Sequence, residues 1–585
     1  MAELQVEKPR IGVFVCHCGI NIGGVVNVPH VVKYAQTLPD VAYAEGNIYT
    51  CSAEGIDSIK KAIKEHNLNR VVVASCTPRT HEPLFRGACV DAGVNPYLFE
   101  LANIREQCSW VHMREPEKAT EKAKDIVRMA AARASYLTPQ EESEVPVDAT
   151  ALVIGGGISG ITSGLCLANQ GFKVYLVEKE PELGGMLRKI YKLYPTGEDA
   201  SRVLQASIEA VMSHKNIAVL TSAIIKAVDG YIGNFEVTAL KNGQEQKFKA
   251  GTVIVATGAV EFRPTNMYGY DKYDRVLTQV DLEQVLRSGK PAMDKFFNPQ
   301  TVAMIQCVGA REDKPPRSYC SRLCCMVAVK NAMLLKEWYP DSEVYIIYQD
   351  MQTYGKDYEE HHRKAREAGI KFINYTKESP PEVAHLPDDK LRLTVYHALL
   401  GEKRELNCDL VVLSTPLVQQ ESAKELSKTL KVPLGQDEFF LEAHVKLRPV
   451  DFATDGIFVC GTAHGPKDIG EAISQAYAVS SRAGVPMANR KVRTEAITAV
   501  VDKERCIGCR MCENLCPYGA HRVEEGKSTV VEALCKGCGV CAAACMRRAI
   551  SMRHFTDDQI MAEIKTAFMM EAPKPPVSSG LEGGK

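Results

Sequence analysis

The sequence predicts an α/β protein built from several domains, and three features predict it. Short apolar strands at 11–15 and 71–74 run into loops that carry cysteines. A glycine-rich turn at 155–160 follows another such strand and opens a helical stretch. Near the end of the chain, two runs of regularly spaced cysteines mark a separate small domain.

Whole-chain properties bound the function. At 585 residues the length suggests about four domains, ample for sizeable cores. With 71 basic and 72 acidic residues, net charge gives no footprint for nucleic acid or acidic lipid. Residues 1–8 are charged and lack the apolar core of a signal peptide. No apolar run is long enough for a membrane span; 323–335 comes closest, interrupted by Lys330 and Asn331. Twenty-one cysteines without a secretory signal point to metal ligation rather than disulfides. A cytoplasmic, oxygen-sensitive protein is expected.

Residues 10–138 read as a small α/β unit. The strand 11–15 ends at Cys16-His17-Cys18-Gly19, and 71–74 ends at Ser75-Cys76-Thr77-Pro78. The stretch 47–50 leads into Cys51, and 97–100 precedes Cys108. Open parallel sheets place their sites at the carboxyl ends of strands. Cys16, Cys18, Cys51, Cys76 and Cys108 therefore form a pool that could supply four ligands to a cluster; scattered free cysteines are the alternative. His17 could ligate too, although a histidine after a strand is more often a hydrogen-bonded loop residue. An alanine-rich amphipathic helix over 116–136 closes the unit, and 138–143 is a polar linker.

The next domain opens on the strand 151–154 and Gly155-Gly156-Gly157-Ile158-Ser159-Gly160, which fits G-x-G-x-x-G. A helix ending near Gly171 and a second strand, 174–177, deliver Glu178, 23 residues beyond the first glycine, where a ribose-binding carboxylate belongs. Glycines let the backbone approach a pyrophosphate whose charge the helix N-terminus favours. Two further segments point to FAD by resemblance to flavoproteins with two dinucleotide-binding domains. Residues 252–259 resemble the strand and turn that close their FAD site. Residues 454–463 resemble a later motif, in which Asp455 would hold the ribityl–phosphate region. The helix from about Asp468 to Arg482 would point its positive end at the isoalloxazine, with Lys467 either near the ring or a solvated surface lysine. The resemblance assigns cofactor binding to Gly155, Gly157, Ser159, Gly160, Glu178, Lys179, Gly185, Met186, Ala256, Thr257, Gly258, Gly461, Asp468 and Ile469.

In those flavoproteins a second dinucleotide domain takes NAD(P)H. Here the equivalent strand, 301–306, runs into Cys307-Val308-Gly309-Ala310-Arg311 instead of a glycine-rich phosphate turn, so no NAD(P)H site is expected. Cys307, Cys320, Cys324 and Cys325 stand in its place and match the ligand count of a cubane cluster. Buried structural cysteines or a Cys324–Cys325 redox pair are the alternatives.

The tail carries Cys506-x-x-Cys509-x-x-Cys512-x-x-x-Cys516-Pro517 and Cys535-x-x-Cys538-x-x-Cys541-x-x-x-Cys545. This is the bacterial two-cluster ferredoxin spacing, in which each run lends its fourth cysteine to the other run's cluster. One 4Fe-4S cluster is assigned to Cys506, Cys509, Cys512 and Cys545, the other to Cys535, Cys538, Cys541 and Cys516. Zinc knuckles also use C-x-x-C, but from two separated pairs. Met546 stands where the second run would usually have proline, which affects a turn and not a ligand.

Taken together, the chain resembles the A-type polypeptide of heterodisulfide reductase over nearly its whole length. The resemblance is carried by 16–21, 75–83, 103–106, the Cys307 to Cys325 set, Thr353-Tyr354-Gly355-Lys356 and the twin ferredoxin runs. It implies a thioredoxin-reductase-like core of two dinucleotide-binding domains, with an N-terminal α/β domain and a C-terminal α+β two-cluster ferredoxin domain. The expected boundaries are 1–145, 146–298, 299–420, 421–494, 495–556 and a tail 557–585, whose end from Pro573 has a disordered composition. The family implies an oxidoreductase subunit that bifurcates or confurcates electrons at FAD; a non-bifurcating electron conduit and a flavin-bearing scaffold are the alternatives, and no catalytic arrangement stands out in the chain itself. Its partners would be B and C subunits, a hydrogenase or formate dehydrogenase donor, and ferredoxin, around a homodimeric core. Longer members insert a further ferredoxin domain after the strand near 233–237. Here Lys241-Asn242-Gly243-Gln244 reads as a tight hairpin instead.

Overall fold

The structure, a computed structural model, describes residues 8–297 and 299–568; the chain's end from Pro573 lies outside them. The described residues form two compact units, one from the N-terminal part up to 143 with the part from 493 onward, the other over 144–492. Among the described residues no helix is long and apolar enough to cross a membrane.

The first unit joins two separate stretches of the described chain. Its sheet is parallel, in the order Val41–Asn47, Ile11–Cys16, Arg70–Ser75, Phe99–Asn103. The two central strands are buried throughout, as their unbroken apolar runs require. The helix Pro116–Ser135 packs over this sheet through Ala119, Ala123, Val127 and Ala134. The ferredoxin part repeats a short helix, Met511–Leu515 and Val540–Ala544, one within each cysteine run. The strands Ala499–Val501 and Ile550–Met552 close it as an antiparallel pair.

Residues 557–567, expected to begin a tail, form a helix instead. Thr556 caps it in a box with Gln559, a local signal strong enough to start a helix. That helix lies along Pro116–Ser135: Arg128 donates to the Thr566 carbonyl at 3.2 Å, and Gln559 to that of Tyr136 at 3.0 Å. Arg133, only 3% exposed, bonds Glu100 and the His554 carbonyl, and its guanidinium sits 4.5 Å from the Phe555 ring centroid.

The second unit contains two domains of one plan, each a five-stranded parallel sheet with a three-stranded antiparallel sheet. The first sheet runs Ile457–Val459, Thr252–Val255, Thr150–Ile154, Lys173–Val177, Ile217–Leu220. The second runs Val276–Thr278, Leu410–Leu413, Thr301–Ile305, Glu343–Tyr348, Lys371–Asn374. It recruits Val276–Thr278 from upstream of the boundary expected at 299, because that edge strand pairs with Val411–Leu413 and not with its sequence neighbours. The chain crosses between the domains on two antiparallel strands, Ala259–Glu261 and Leu417–Gln419. At the hairpin, Asn242 (φ 49°) and Gly243 (φ 80°) both take left-handed geometry and pair Lys241 with Gln244.

Replacing Arg133 by Met should strand the Glu100 carboxylate and the His554 carbonyl and cost about 3 kcal/mol. Anaerobic denaturant unfolding of the intact protein measures it.

Candidate functional site

Parallel strands deliver their loops to one edge, and in the second unit that edge opens a cavity of about 780 Å³. Gly155, Gly157, Ser159, Glu178, Lys179, Gly185, Met186, Ala256, Thr257, Gly258, Asp468 and Ile469 all line it. Gly155 (φ 110°) turns the chain directly out of the strand Thr150–Ile154 and into the helix Ile158–Asn169. Glu178 accepts from the Gly156 N–H and, at 2.9 Å, from that of Glu180, which fixes its carboxylate at the cavity wall. Lys179 reaches Gln420 at 2.6 Å, and Gln420 in turn donates to the Thr257 carbonyl at 2.6 Å.

Gly160 and Gly461 lie outside the lining. A Cβ on Gly160 would overlap the Gly155 carbonyl, and one on Gly461 (φ 68°) would overlap the Ser159 hydroxyl. These glycines allow the helix and the turn to pack closely, one layer behind the cavity. Asp455 is also displaced from its expected role. It precedes the strand Ile457–Val459, at the end opposite the cavity, and faces Arg448 at 3.6 Å. An aspartate that does line the cavity is Asp468, N-cap of the helix Ile469–Asn489, in a reciprocal box with Glu471.

Sequence reasoning missed Thr415, Ser414, Gln279 and Tyr194, which also line the cavity. The first two follow the strand Leu410–Leu413 of the second domain, so a polar pair at a strand's carboxyl end was the available signal. The hydroxyls of Thr257 and Thr415 are buried without a partner. Buried donors demand an acceptor, and a polyhydroxylated, pyrophosphate-bearing ligand of flavin size fits both them and the open glycine turn.

Cys324 lines the same cavity and opens the helix Cys324–Trp338. Burial pushes its thiol well above 9, and the neighbouring thiols of Cys325, Cys307 and Cys320 push it further. Cys325 rises to about 12 through burial first, then Cys307 and Cys320. The structure thus gathers all four cysteines of this set. Arg311 touches Cys307, whose backbone takes φ 62°.

In the first unit, burial raises the Cys51 thiol, with added repulsion from Cys16 and Cys18. Burial likewise raises Cys76, with Cys18 and Cys51 adding to it while Arg105 opposes. Cys16, Cys18, Cys51 and Cys76 therefore share one neighbourhood. Cys108 stands apart: it is fully buried and its thiol points at the Ala119 carbonyl, 3.0 Å away. The His17 ring packs beside Gly23 and Gly46.

In the ferredoxin part, Cys506, Cys509, Cys512 and Cys545 line one small cavity of about 70 Å³. Cys541 rises to about 11 through burial and then through Cys535, Cys538 and Cys516. The structure groups the thiols as the crosswise spacing does. Backbone N–H groups of Ser528, Ala520, Ala549 and Ala499 point at Cys506, Cys516, Cys545 and Cys535 at 3.3–3.4 Å. Among the described residues, no three Cys, His, Asp or Glu side chains form a group that could hold a single metal ion. Where burial and neighbouring thiols raise a thiol's pKa, as at Cys324, Cys76 and Cys541, the donor set is short of positive charge, which thiolate-bound iron would supply.

These features define a nucleotide-binding oxidoreductase core joined to a ferredoxin-type domain. The family model described as pyridine nucleotide-disulphide oxidoreductase matches residues 149–476, and the one described as 4Fe-4S binding domain matches 498–521. They imply a flavin-type cofactor and a 4Fe-4S cluster. The chain is 41% identical to the A-type polypeptide of the H(2):CoB-CoM heterodisulfide,ferredoxin reductase of Methanothermobacter thermautotrophicus, over 97% of this chain and 99% of that one. It is 40% identical to the first of two A-type iron-sulfur polypeptides of CoB--CoM heterodisulfide reductase in Methanopyrus kandleri, over 97% and 98%. With the A-type polypeptide of the H(2)/formate:CoB-CoM heterodisulfide,ferredoxin reductase of Methanococcus maripaludis it shares 38%, over 96% and 98%. The chain belongs to the A-type family of heterodisulfide reductase polypeptides and is an oxidoreductase subunit that transfers electrons.

Cys76→Ser should remove about four irons from anaerobically prepared protein and Cys108→Ser none, as counted against flavin.

Proposed function

We propose that the chain is the electron-distributing subunit of a heterodisulfide-reductase-like complex, and that it splits or merges electron pairs at FAD in the larger cavity. One observation carries the reading: Cys324, a member of a four-thiol set, lines the same cavity as the glycine turn and Asp468. A bound flavin supplies two-electron chemistry and clusters pass electrons singly. The protein's own part is placement. Gly155 and Gly157 let the backbone approach a pyrophosphate, and Glu178 stands where a ribose hydroxyl would be held. The helix Ile469–Asn489 starts at the cavity, where its positive end favours negative charge. Thr257 and Thr415 offer hydroxyls from the two domains of the unit.

We assign clusters to Cys307, Cys320, Cys324 and Cys325; to Cys16, Cys18, Cys51 and Cys76; and to the two crosswise ferredoxin sets. The partners would be B and C subunits carrying the disulfide-reducing site, a hydrogenase or formate dehydrogenase module, and ferredoxin. The names of the relatives, which mention H(2), formate, ferredoxin and the CoB-CoM heterodisulfide, support this set.

A second reading keeps the cofactors and sends both electrons along one path. The favouring observation is the Asn242-Gly243 hairpin, where longer family members would carry a further cluster domain. The alignment with the Methanothermobacter thermautotrophicus relative runs over 655 residues against 585 in this chain, so that relative has segments without counterpart here.

The complex isolated anaerobically from its host should contain about sixteen irons per flavin in this polypeptide. It should also reduce ferredoxin in step with its disulfide acceptor. Acceptor reduction that proceeds at full rate with ferredoxin left oxidised would establish the single-path reading.

A further inference from the structure

Arg322 sits in the loop between Cys320 and Cys324, with a left-handed backbone at φ 62°. Its guanidinium donates to the Pro466 carbonyl at 3.0 Å, lies 3.2 Å from Glu471, and rests 4.8 Å from the Tyr354 ring centroid. Glu471 also accepts from the Asp468 N–H at 3.1 Å and from the Tyr354 hydroxyl at 3.4 Å. Tyr354 belongs to the 353–356 motif that the resemblance singled out without giving it work. The pair is partly exposed, with side chains 40% and 32% accessible, so its worth to stability is small.

Lys467 lies directly before this helix cap and lines the cavity. Its ammonium donates to the Gly465 carbonyl at 3.4 Å. Two carboxylates lie near enough to act on it, Glu471 and Glu442. Both are engaged elsewhere: Glu471 by Arg322, and Glu442 by the His464 ring at 2.7 Å. Burial and Arg322 lower the Lys467 pKa to about 8, while Glu471 and Glu442 hold it up, so the side chain remains mostly charged at neutral pH.

We propose that Arg322 is a positioning residue that draws the Glu471 carboxylate into its own ion pair, so that Glu471 offsets the Lys467 charge only in part and Lys467 favours the reduced, more negative form of the bound cofactor. The inference rests on the flavin reading of that cavity. It also joins the two halves of the site, because Arg322 is carried by the cysteine loop and Glu471 by the helix that starts at the cavity.

Changing the charge at each partner gives opposite signs. Arg322→Met frees Glu471 to oppose Lys467 and should lower the flavin midpoint potential. Glu471→Gln keeps the capping box, which tolerates Gln, and should raise it. Each change should shift the reduced-to-oxidised ratio about tenfold, about 30 mV for a two-electron couple. Anaerobic redox titration of the full-length protein at pH 7, followed by the flavin band, reads both. Arg322→Gln substitutes for Arg322→Met if that variant fails to retain flavin. Shifts in the same direction, or none, would overturn the inference, since a purely structural role damages the site alike from either side. Wild-type protein without flavin would instead overturn the reading of the cavity, and is checked first.

Discussion

Buried thiols cannot all ionise at one place unless a cation joins them, and the architecture of this chain is organised around that constraint. Desolvation and mutual repulsion raise Cys324, Cys325, Cys51, Cys76 and Cys541 above the ordinary thiol range. Such groupings cost stability in the absence of metal and return it when iron binds. The fold answers with donors: backbone N–H groups aimed at sulfur in the ferredoxin part, Arg311 beside Cys307, and Arg105 beside Cys18 and Cys76. Hydrogen bonds and charge at the sulfurs are also the means by which a protein sets cluster potentials.

How much of this was legible depended on whether the chemistry was local. The ferredoxin spacing keeps three members of each set in one short run, and the regular repeat gives the fourth, Cys545 or Cys516, from the other run, so the crosswise grouping could be read directly. The glycine motif with Glu178 was legible for the same reason, since strand, turn and helix are consecutive. The N-terminal pool could not be resolved into four, because Cys51 and Cys108 come from loops whose direction is set by tertiary packing. The π-helical turn Arg105–Ser109 sends Cys108 under the helix Pro116–Ser135. The role of Asp455 was not legible, because a motif does not show which end of its strand faces the site, and this residue precedes the strand Ile457–Val459 at the far end. The helix Asp557–Ala567 was overlooked although Thr556 and Gln559 spelled its cap.

The second domain of the core shows how one scaffold is put to another use. Its strand Thr301–Ile305 still ends in a sharp turn, with Cys307 and Gly309 both at positive φ. In a dinucleotide domain that turn and the following helix N-terminus receive a pyrophosphate. Here the helix begins with Cys324 and Cys325, preceded by Leu323, which makes no side-chain cap. The uncapped N–H groups and the positive end of the helix therefore meet sulfur, and a backbone hydrogen bond already favours the Cys324 thiolate. Thiols thus stand at a helix N-terminus, where the polarity favours an anion. Because Cys324 opens this helix, the start of the helix reaches the wall of the cavity, where Cys324 and Val327 line it one turn apart. A thiol at the wall of the cavity thus follows from the position of a helix terminus, with no new element required.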